Sequence, residues 1–585
     1  MELFKKAWKV FDRRRHFRLI ELLILILIGT ALETIGVTAI VPFISAIMYP
    51  HKIMTNKYAV MVCDTFGITD TTGFIIFLAI VLILAYIVKN LFLCIMYYAQ
   101  FKFIFNNHRR LSGRLMRCYM SQPYSFHLKH NTAELFQSID LDVDSFFQTV
   151  LAAITLVTDT MVSIALIAVL FIADKTITIA VAAAMGLFVL IFYKAYKNKI
   201  LKLGEQRREN AIDANRYIHE AFGAIKEIKV RNREMHFVTV EDEAYRRYIE
   251  ARRRAATYTM YPKPVMEAMA VTALLLIIIF KLMRGVDAEY FIPTLSIFAL
   301  TVVRLLPSGS RISASINNIA FGKPAIDSIY NDITRLRSLE KNILPDADVT
   351  PLKFEDRITI EDLGFAYEES DSSVLDGLNM TIEKNRSTAF IGPSGAGKTT
   401  LADIILGVLD YGKGSVRIDD KELSSVTAAW QKNIGYIPQS IYIFDDTIGH
   451  NIAMVLDDGD IDEKRLWEAI DKAQLRPFIE SLPEGIDTVI GENGSRVSGG
   501  QKQRIGIARA LYTDPDVLVL DEATSALDND TEEAVMEAID ALNGYKTLII
   551  IAHRLSTIES CDTIYRIEDG KAHVVRMNGK EIEKL

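Results

Sequence analysis

Cysteine is scarce in this 585-residue chain: Cys63, Cys94, Cys118 and Cys561 stand far apart, in no CxxC or metal-ligand spacing. That excludes a disulfide-stapled or zinc-ribbon fold, and a chain this long needs no staples. An excess of positive charge is missing too. With 66 Lys and Arg against 73 Asp and Glu, the net charge is −7, and nothing in the global balance recommends a nucleic-acid partner. Internal repeats and low-complexity tracts are absent. No small-residue cleavage site follows the first apolar run, so "RRRHFRLIELLILILIG" reads as a retained membrane segment and not as a signal peptide.

Long apolar runs, by contrast, are abundant. Half of the residues are hydrophobic, yet the mean hydropathy of +0.19 is too low for a chain buried wholly in lipid. A membrane part joined to a soluble part fits both values. Six runs are long enough to span a bilayer: 19–48, 73–101, 151–173, 176–193, 264–283 and 290–308. Lys and Arg concentrate before the first run, after the second, and between the fourth and fifth. By the positive-inside rule both termini are expected on the cytoplasmic side. The two basic connections read as helix, so spans two to five are expected to continue into the cytoplasm and end against the soluble half. At the turns of these extensions lie "PYSFHLKHNTAELFQS" and "EAFGAIKEIKVRNRE".

The membrane part is expected to end near Phe321, giving a transmembrane domain over 1–325, a connector over 326–350 and a soluble domain over 351–585. In the last of these, short apolar runs such as "STAFIG", "VLVLDEA" and "TLIIIAH" alternate with helical stretches. That alternation predicts an α/β domain with a largely parallel sheet.

Between a strand-like "STAFI" and a helix-like "TLADIILGVL" stands "GPSGAGKT", which matches GxxxxGK[ST]. Its glycines allow backbone N–H groups to converge on phosphate oxygens at a helix start. Lys398 adds a point charge and Thr399 a hydroxyl for Mg²⁺. Gly392, Ser394, Gly395, Gly397, Lys398, Thr399 and Thr400 are therefore the candidate ATP-binding set. In "VLVLDEA" a buried strand ends in two acids. Asp521 is the candidate for the Mg²⁺ shell, through water, and Glu522 for polarising the attacking water.

The segment "VSGGQKQRIGIARAL" closely resembles the signature of ATP-binding cassette (ABC) proteins. Its neighbours agree: Gln439 in "GYIPQS" resembles the Q-loop, "SALD" the D-loop, and His553 in "IIIAHRLST" the switch histidine. Tyr367 in "GFAY" matches the residue that stacks on adenine, and the one departure is Val497, where the family usually has Leu. Six spans followed by one cassette resemble a half-size ABC exporter. The fold this implies is an all-α six-helix transmembrane domain of ABC exporter type plus an α/β P-loop NTPase cassette. The resemblance implies that Gln439 is a further Mg²⁺ ligand and that Glu522, His553 and Gln439 serve hydrolysis. It also implies that Ser498, Gly499, Gly500 and Gln501 meet the ATP held by a second copy, so a homodimer is expected. "SFHLKHN" and "GAIKEIK" resemble coupling helices, and 55–67 matches the place of a short external helix.

ATP-driven export or flipping is the expected activity; an ATP-gated channel, an importer and a cassette protein without membrane spans fit less well. Among exporters, "ALETIGVTAIVPFISAIM" and "VVRLLPSGSRI" resemble flippases of lipid-linked oligosaccharides, the PglK type, with lipid A-like lipids and drugs as alternatives. The chain begins almost at once with its first span, which lowers the peptide-exporter reading, and no transit peptide is visible, which favours a bacterial inner membrane. Charges inside the spans mark a pathway or a structural pair. In one reading Lys89, Lys263, Arg304 and Arg311 line a cavity for an anionic, lipid-linked substrate. In the other, Arg311 and Lys263 reach to the cytoplasmic boundary while Arg304 pairs with Glu33.

Overall fold

The computed structural model describes residues 2–11, 13–40, 43, 46–47, 57–68, 70–173, 175–283, 288–336, 349–367, 372–455, 457–521, 539, 541–552, 558, 560–577 and 579–581. The chain forms two compact units, Met1–Gln122 with His127–Asn342, and Pro123–Phe126 with Ile343–Leu585.

All the described elements of the first unit are helices. Its elements are α1 (Glu2–Val10), α2 (Arg13–Thr38), α3 (Lys57–Phe66), α4 (Thr71–Met120), the second half of α5 (Tyr124–Lys129), whose first residues belong to the other unit, α6 (Thr132–Gln137), α7 (Val143–Ala173), α8 (Lys175–Gly223), α9 (Ile225–Val230), α10 (Glu234–Met260), α11 (Pro262–Met283) and α12 (Ala288–Leu336). Asp70 starts α4 by accepting from the Gly73 N–H, which satisfies one of the donors that a helix start leaves open. Among the described residues, Arg15–Gly36, Thr71–Met120 and Thr132–Ala168 are long and apolar enough to cross a membrane. The remaining apolar runs fall on α8, α11 and α12. Ile76, Ile80, Ile83, Leu84, Ile87 and Leu91 of α4 point outward, a face that only lipid or another apolar surface can cover.

Two features of the helices bear on the boundaries expected from the sequence. The charged stretch expected after Phe321 as a helical connector is continuous with the sixth span: α12 runs to Leu336 without a break. The change from apolar to charged residues marks where the helix leaves apolar surroundings, not where it stops. The extension into span five is divided at Tyr261, because Pro262 has no N–H to continue the ladder.

The polar extensions hold together by satisfied buried polar groups. Asp142 is fully buried and accepts from Arg208 Nε at 2.8 Å and Gln137 Nε2 at 3.1 Å. Tyr119 donates its hydroxyl to Asp332 at 2.8 Å. Gly322 of α12 lies so close to α7 that a Cβ there would run into Thr149.

In the second unit, β1 (Arg357–Phe365), β2 (Leu375–Glu383), β4 (Lys413–Ile418) and β5 (Lys421–Glu422) form an antiparallel sheet in the order β2-β1-β4-β5. The larger sheet joins β3 (Ser387–Ile391), β6 (Ile434–Ile437), β7 (Val517–Asp521), β8 (Thr547–Ile551), β9 (Thr563–Glu568), β10 (Lys571–Met577) and β11 (Lys580–Glu581). Its order is β11-β10-β9-β3-β8-β7-β6, parallel from β9 to β6. Alternation decides its two faces. Val517, Val519, Ile549 and Ile551 enter one core with Phe390, Leu401 and Trp430, while Leu518, Leu520, Leu548 and Ile550 enter another with Ile505 and Ile507. Both faces are buried, which is why these strands read as unbroken apolar runs.

Candidate functional site

The site grows out of the carboxyl ends of the parallel strands, where α/β sheets bind their ligands. Strand β3 delivers Gly392, and the helix that follows the loop, α13 (Lys398–Ile405), starts at Lys398. Gly392 has φ 145°, and a Cβ there would collide with the Ile567 carbonyl, so no other residue type fits that turn. Lys398 is buried, and its Nζ donates to the Gly392 and Pro393 carbonyls at 2.9 Å each. The ammonium is thus folded back over the loop. Ser394, Gly395 and Thr399 are exposed, and Thr400 is buried behind them. An open glycine turn, a helix N-terminus and a fixed lysine together fit a polyphosphate.

Register brings the other groups to the same edge. Phe390 pairs with Ile551, and Ile551 with Asp521, so the P-loop and Asp521 are level, about 10 Å apart across two strand spacings. Ile437 pairs with Leu520, which sets exposed Gln439 just beyond that edge. Mg²⁺ accompanying a nucleotide takes few protein oxygens, and the hydroxyl of Thr399, the carboxylate of Asp521 and the amide of Gln439 are a donor set of that kind. Glu522, His553 and "SALD" lie outside the described residues, although Glu522 directly follows β7 and His553 follows β8 by one residue.

Tyr367 joins the site from the other sheet. Its hydroxyl lies 3.1 Å from Thr400 Oγ1, and its half-open ring meets Phe365 edge-on at 4.9 Å. A planar base could stack on that ring. Asp403, one turn into α13, was not singled out from the sequence. Burial, and then the nearby Asp521 carboxylate, push its carboxyl up to about 6. In "TLADIILGVL" it looks like an ordinary polar position of an amphipathic helix.

The signature segment opens α18, which spans Gly499–Tyr512; the intervening helices are α14 (Leu423–Gln431), α15 (Ile448–Ala453), α16 (Glu463–Lys472) and α17 (Arg476–Glu480). Ser498 caps α18: its hydroxyl accepts from the Gln501 N–H at 3.2 Å, and Gln501 Oε1 accepts from the Ser498 N–H at 2.8 Å. Ser498 and Gly499 are exposed, so the helix start faces solvent. Ser498 has no hydrogen bond to Lys398 or to the P-loop among the described residues.

In the first unit, Arg311 is held by an acid that the sequence reading overlooked. Its Nε and Nη2 donate to the Asp159 carboxylate at 2.9 and 2.6 Å. A single acid inside the apolar run "ITLVTDTMVSIAL" was the available signal. Lys89 is buried, with Nζ 4.5 Å from the Tyr86 ring centre, whereas Lys263 is exposed. The side chain of Arg304 lies outside the described residues.

The family model described as ABC transporter matches residues 375–525, and that described as ABC transporter transmembrane region matches residues 23–303. An ATP-dependent lipid A-core flippase of Shewanella frigidimarina is 40% identical over 232 residues, which are 39% of this chain and 38% of that protein. One from Francisella novicida is 30% identical over 479 residues, 80% of this chain and 78% of its own length. The fold is similar to that of a bacterial Atm1-family ABC exporter with ATP bound, with a TM-score of 0.73, 22% identity, and coverage of 96% of this chain and 95% of that one.

Proposed function

We infer the function from one premise: this chain belongs to the ABC transporter family, with the layout of a half-exporter. It is an ATP-driven lipid exporter of a bacterial inner membrane that works as a homodimer, coupling hydrolysis to the flipping of a phosphorylated lipid. The observation that carries this reading is the nucleotide site: a glycine cradle, buried Lys398, and Asp521 and Gln439 level with it on one sheet edge. The signature helix with its open N-terminus supplies the complement, and a single chain has only one of each. In the dimer, one copy's Lys398 and P-loop amides bind the nucleotide, and the second copy's Ser498, Gly499 and Gly500 close over its γ-phosphate. Thr399, Gln439 and Asp521 would hold Mg²⁺, which neutralises phosphate charge when bound. Glu522 orients the attacking water and His553 contacts the γ-phosphate.

The relatives' names favour a lipid A-like phosphoglycolipid over the lipid-linked oligosaccharide expected from the first-span and sixth-span patterns. Both kinds of lipid carry phosphate, which suits a set of basic residues comprising Lys89, Lys263, Arg304 and Arg311. Reconstitution in liposomes tests the reading. ATP-dependent flipping of a fluorescent lipid A should exceed that of a polyprenyl-pyrophosphate saccharide, and both should vanish with Glu522→Gln. Hydrolysis at equal rates by the parent and Glu522→Gln would overturn the catalytic assignment; faster flipping of the saccharide would overturn the substrate.

A further inference from the structure

We propose that Asp159 is a counter-charge that keeps headgroup binding at Arg311 weak enough for release: it occupies one edge of the guanidinium and leaves the other to a phosphate oxygen. The proposal rests on the function proposed above, in which Arg311 meets an anionic lipid.

The pair is lopsided. Asp159 has only 5% of its side-chain surface exposed, whereas Arg311 has 53%. Nε and Nη2 of Arg311 are taken by the carboxylate, and Nη2 also reaches Ser308 Oγ at 3.2 Å. Nη1 has no hydrogen-bond partner among the described residues, so two N–H donors remain on the open side. Asp159 is buried on the face of α7 that also carries Val162 and Leu166, which pack in an apolar cluster with Leu305 of α12. Arg311 is the one cation paired with Asp159 among the described residues, and a buried carboxylate depends on such a partner. Arg311, by contrast, can serve a second anion without leaving the first.

The electrostatic consequence follows from the geometry. A phosphate oxygen on Nη1 gains a charge-assisted hydrogen bond but also meets the Asp159 charge across the same planar group. Attraction is reduced, while the guanidinium stays oriented. A transported ligand needs such a site, favourable enough to enter and weak enough to leave.

The test uses the full chain in nanodiscs without nucleotide, with monophosphoryl lipid A and its dephosphorylated form as probes. Asp159→Asn should lower the Kd for the phosphorylated probe about fourfold or more, the effect of deleting one charge about 5 Å away in a water-like medium. It should also slow flipping, because release becomes harder. The dephosphorylated probe should show no change, and in an Arg311→Gln background, where no guanidinium holds the phosphate beside Asp159, the gain from Asp159→Asn should fall well below that in the parent. Should Asp159→Asn fail to fold, as judged by its thermal transition, Asp159→Ser takes its place with the same expected direction. An unchanged or higher Kd in the neutral variant overturns the proposal. If Arg311→Gln itself leaves the Kd for the phosphorylated probe unchanged, the fault lies instead with Arg311 as a headgroup contact, and both readings fall.

Discussion

Phe390 and Asp521 pair with the same residue, Ile551, from opposite sides of β8. That shared partner makes Asp521 level with the end of the strand that leads into the glycine loop, although 131 positions separate Phe390 and Asp521 in sequence. Parallel strands end in step, so every residue that follows such a strand reaches the same edge.

Binding and hydrolysis should separate by mutation. Lys398→Ala removes the charge that lies over the loop and should weaken nucleotide binding and cut hydrolysis by about 100-fold or more. Glu522→Gln should keep binding and lose hydrolysis to a similar degree. Equilibrium binding of a fluorescent ATP analogue beside phosphate release distinguishes them.

Action of the signature in trans predicts complementation. Chains carrying Lys398→Ala, mixed with chains carrying Ser498→Ala, should form dimers that retain one complete site and hydrolyse ATP faster than either parent. Because Ser498 also caps α18, its loss costs about 1 kcal/mol of helix stability. Ser498→Thr, which keeps a capping hydroxyl, should preserve the melting temperature and so separate folding from contact with nucleotide.

The raised carboxyl of Asp403 makes a pH-dependent prediction for the nucleotide-free protein in chelator. Its folded value, about 6, lies above the usual carboxylate range, so the folded state holds the proton more tightly than the unfolded one. Ionisation therefore costs stability progressively from about pH 4 to 6, and the full cost remains above that. Asp403→Asn should raise the thermal transition of the cassette at pH 7.5, with a gain that shrinks at pH 5. Calorimetry at the two values reads the difference; an equal gain at both would contradict the burial argument.

Two glycines of the P-loop should respond differently. At Gly392 a Cβ would collide with the Ile567 carbonyl, whereas at Gly395, φ 82°, nothing lies within 4 Å. Gly392→Ala should destabilise the cassette by about 3 kcal/mol or more, and Gly395→Ala by only about 1 to 2, the cost of left-handed backbone. Denaturant unfolding of the two variants provides the comparison.

Arg311→Ala should destabilise the membrane unit more than the neutral pair Arg311→Gln with Asp159→Asn, because it leaves a buried carboxylate without its cation. Stranding one member of a buried pair costs about 3 to 5 kcal/mol, reduced here because Arg311 is half open to its surroundings. Thermal unfolding in detergent orders the three proteins.

The sequence by itself determined the chemistry that depends on local spacing. GxxxxGK[ST] between a strand and a helix, an apolar run ending in Asp521, and six long apolar stretches each encode a local structure whose backbone requirements few residues can meet. The tertiary structure alone decided which distant groups face each other. Asp403 feels Asp521 and Asp159 holds Arg311, neither of which follows from a neighbour in sequence. Charge pairing and desolvation act through space, so a lone acid in an apolar helix looks the same in sequence whether it meets a guanidinium, a second carboxylate or water.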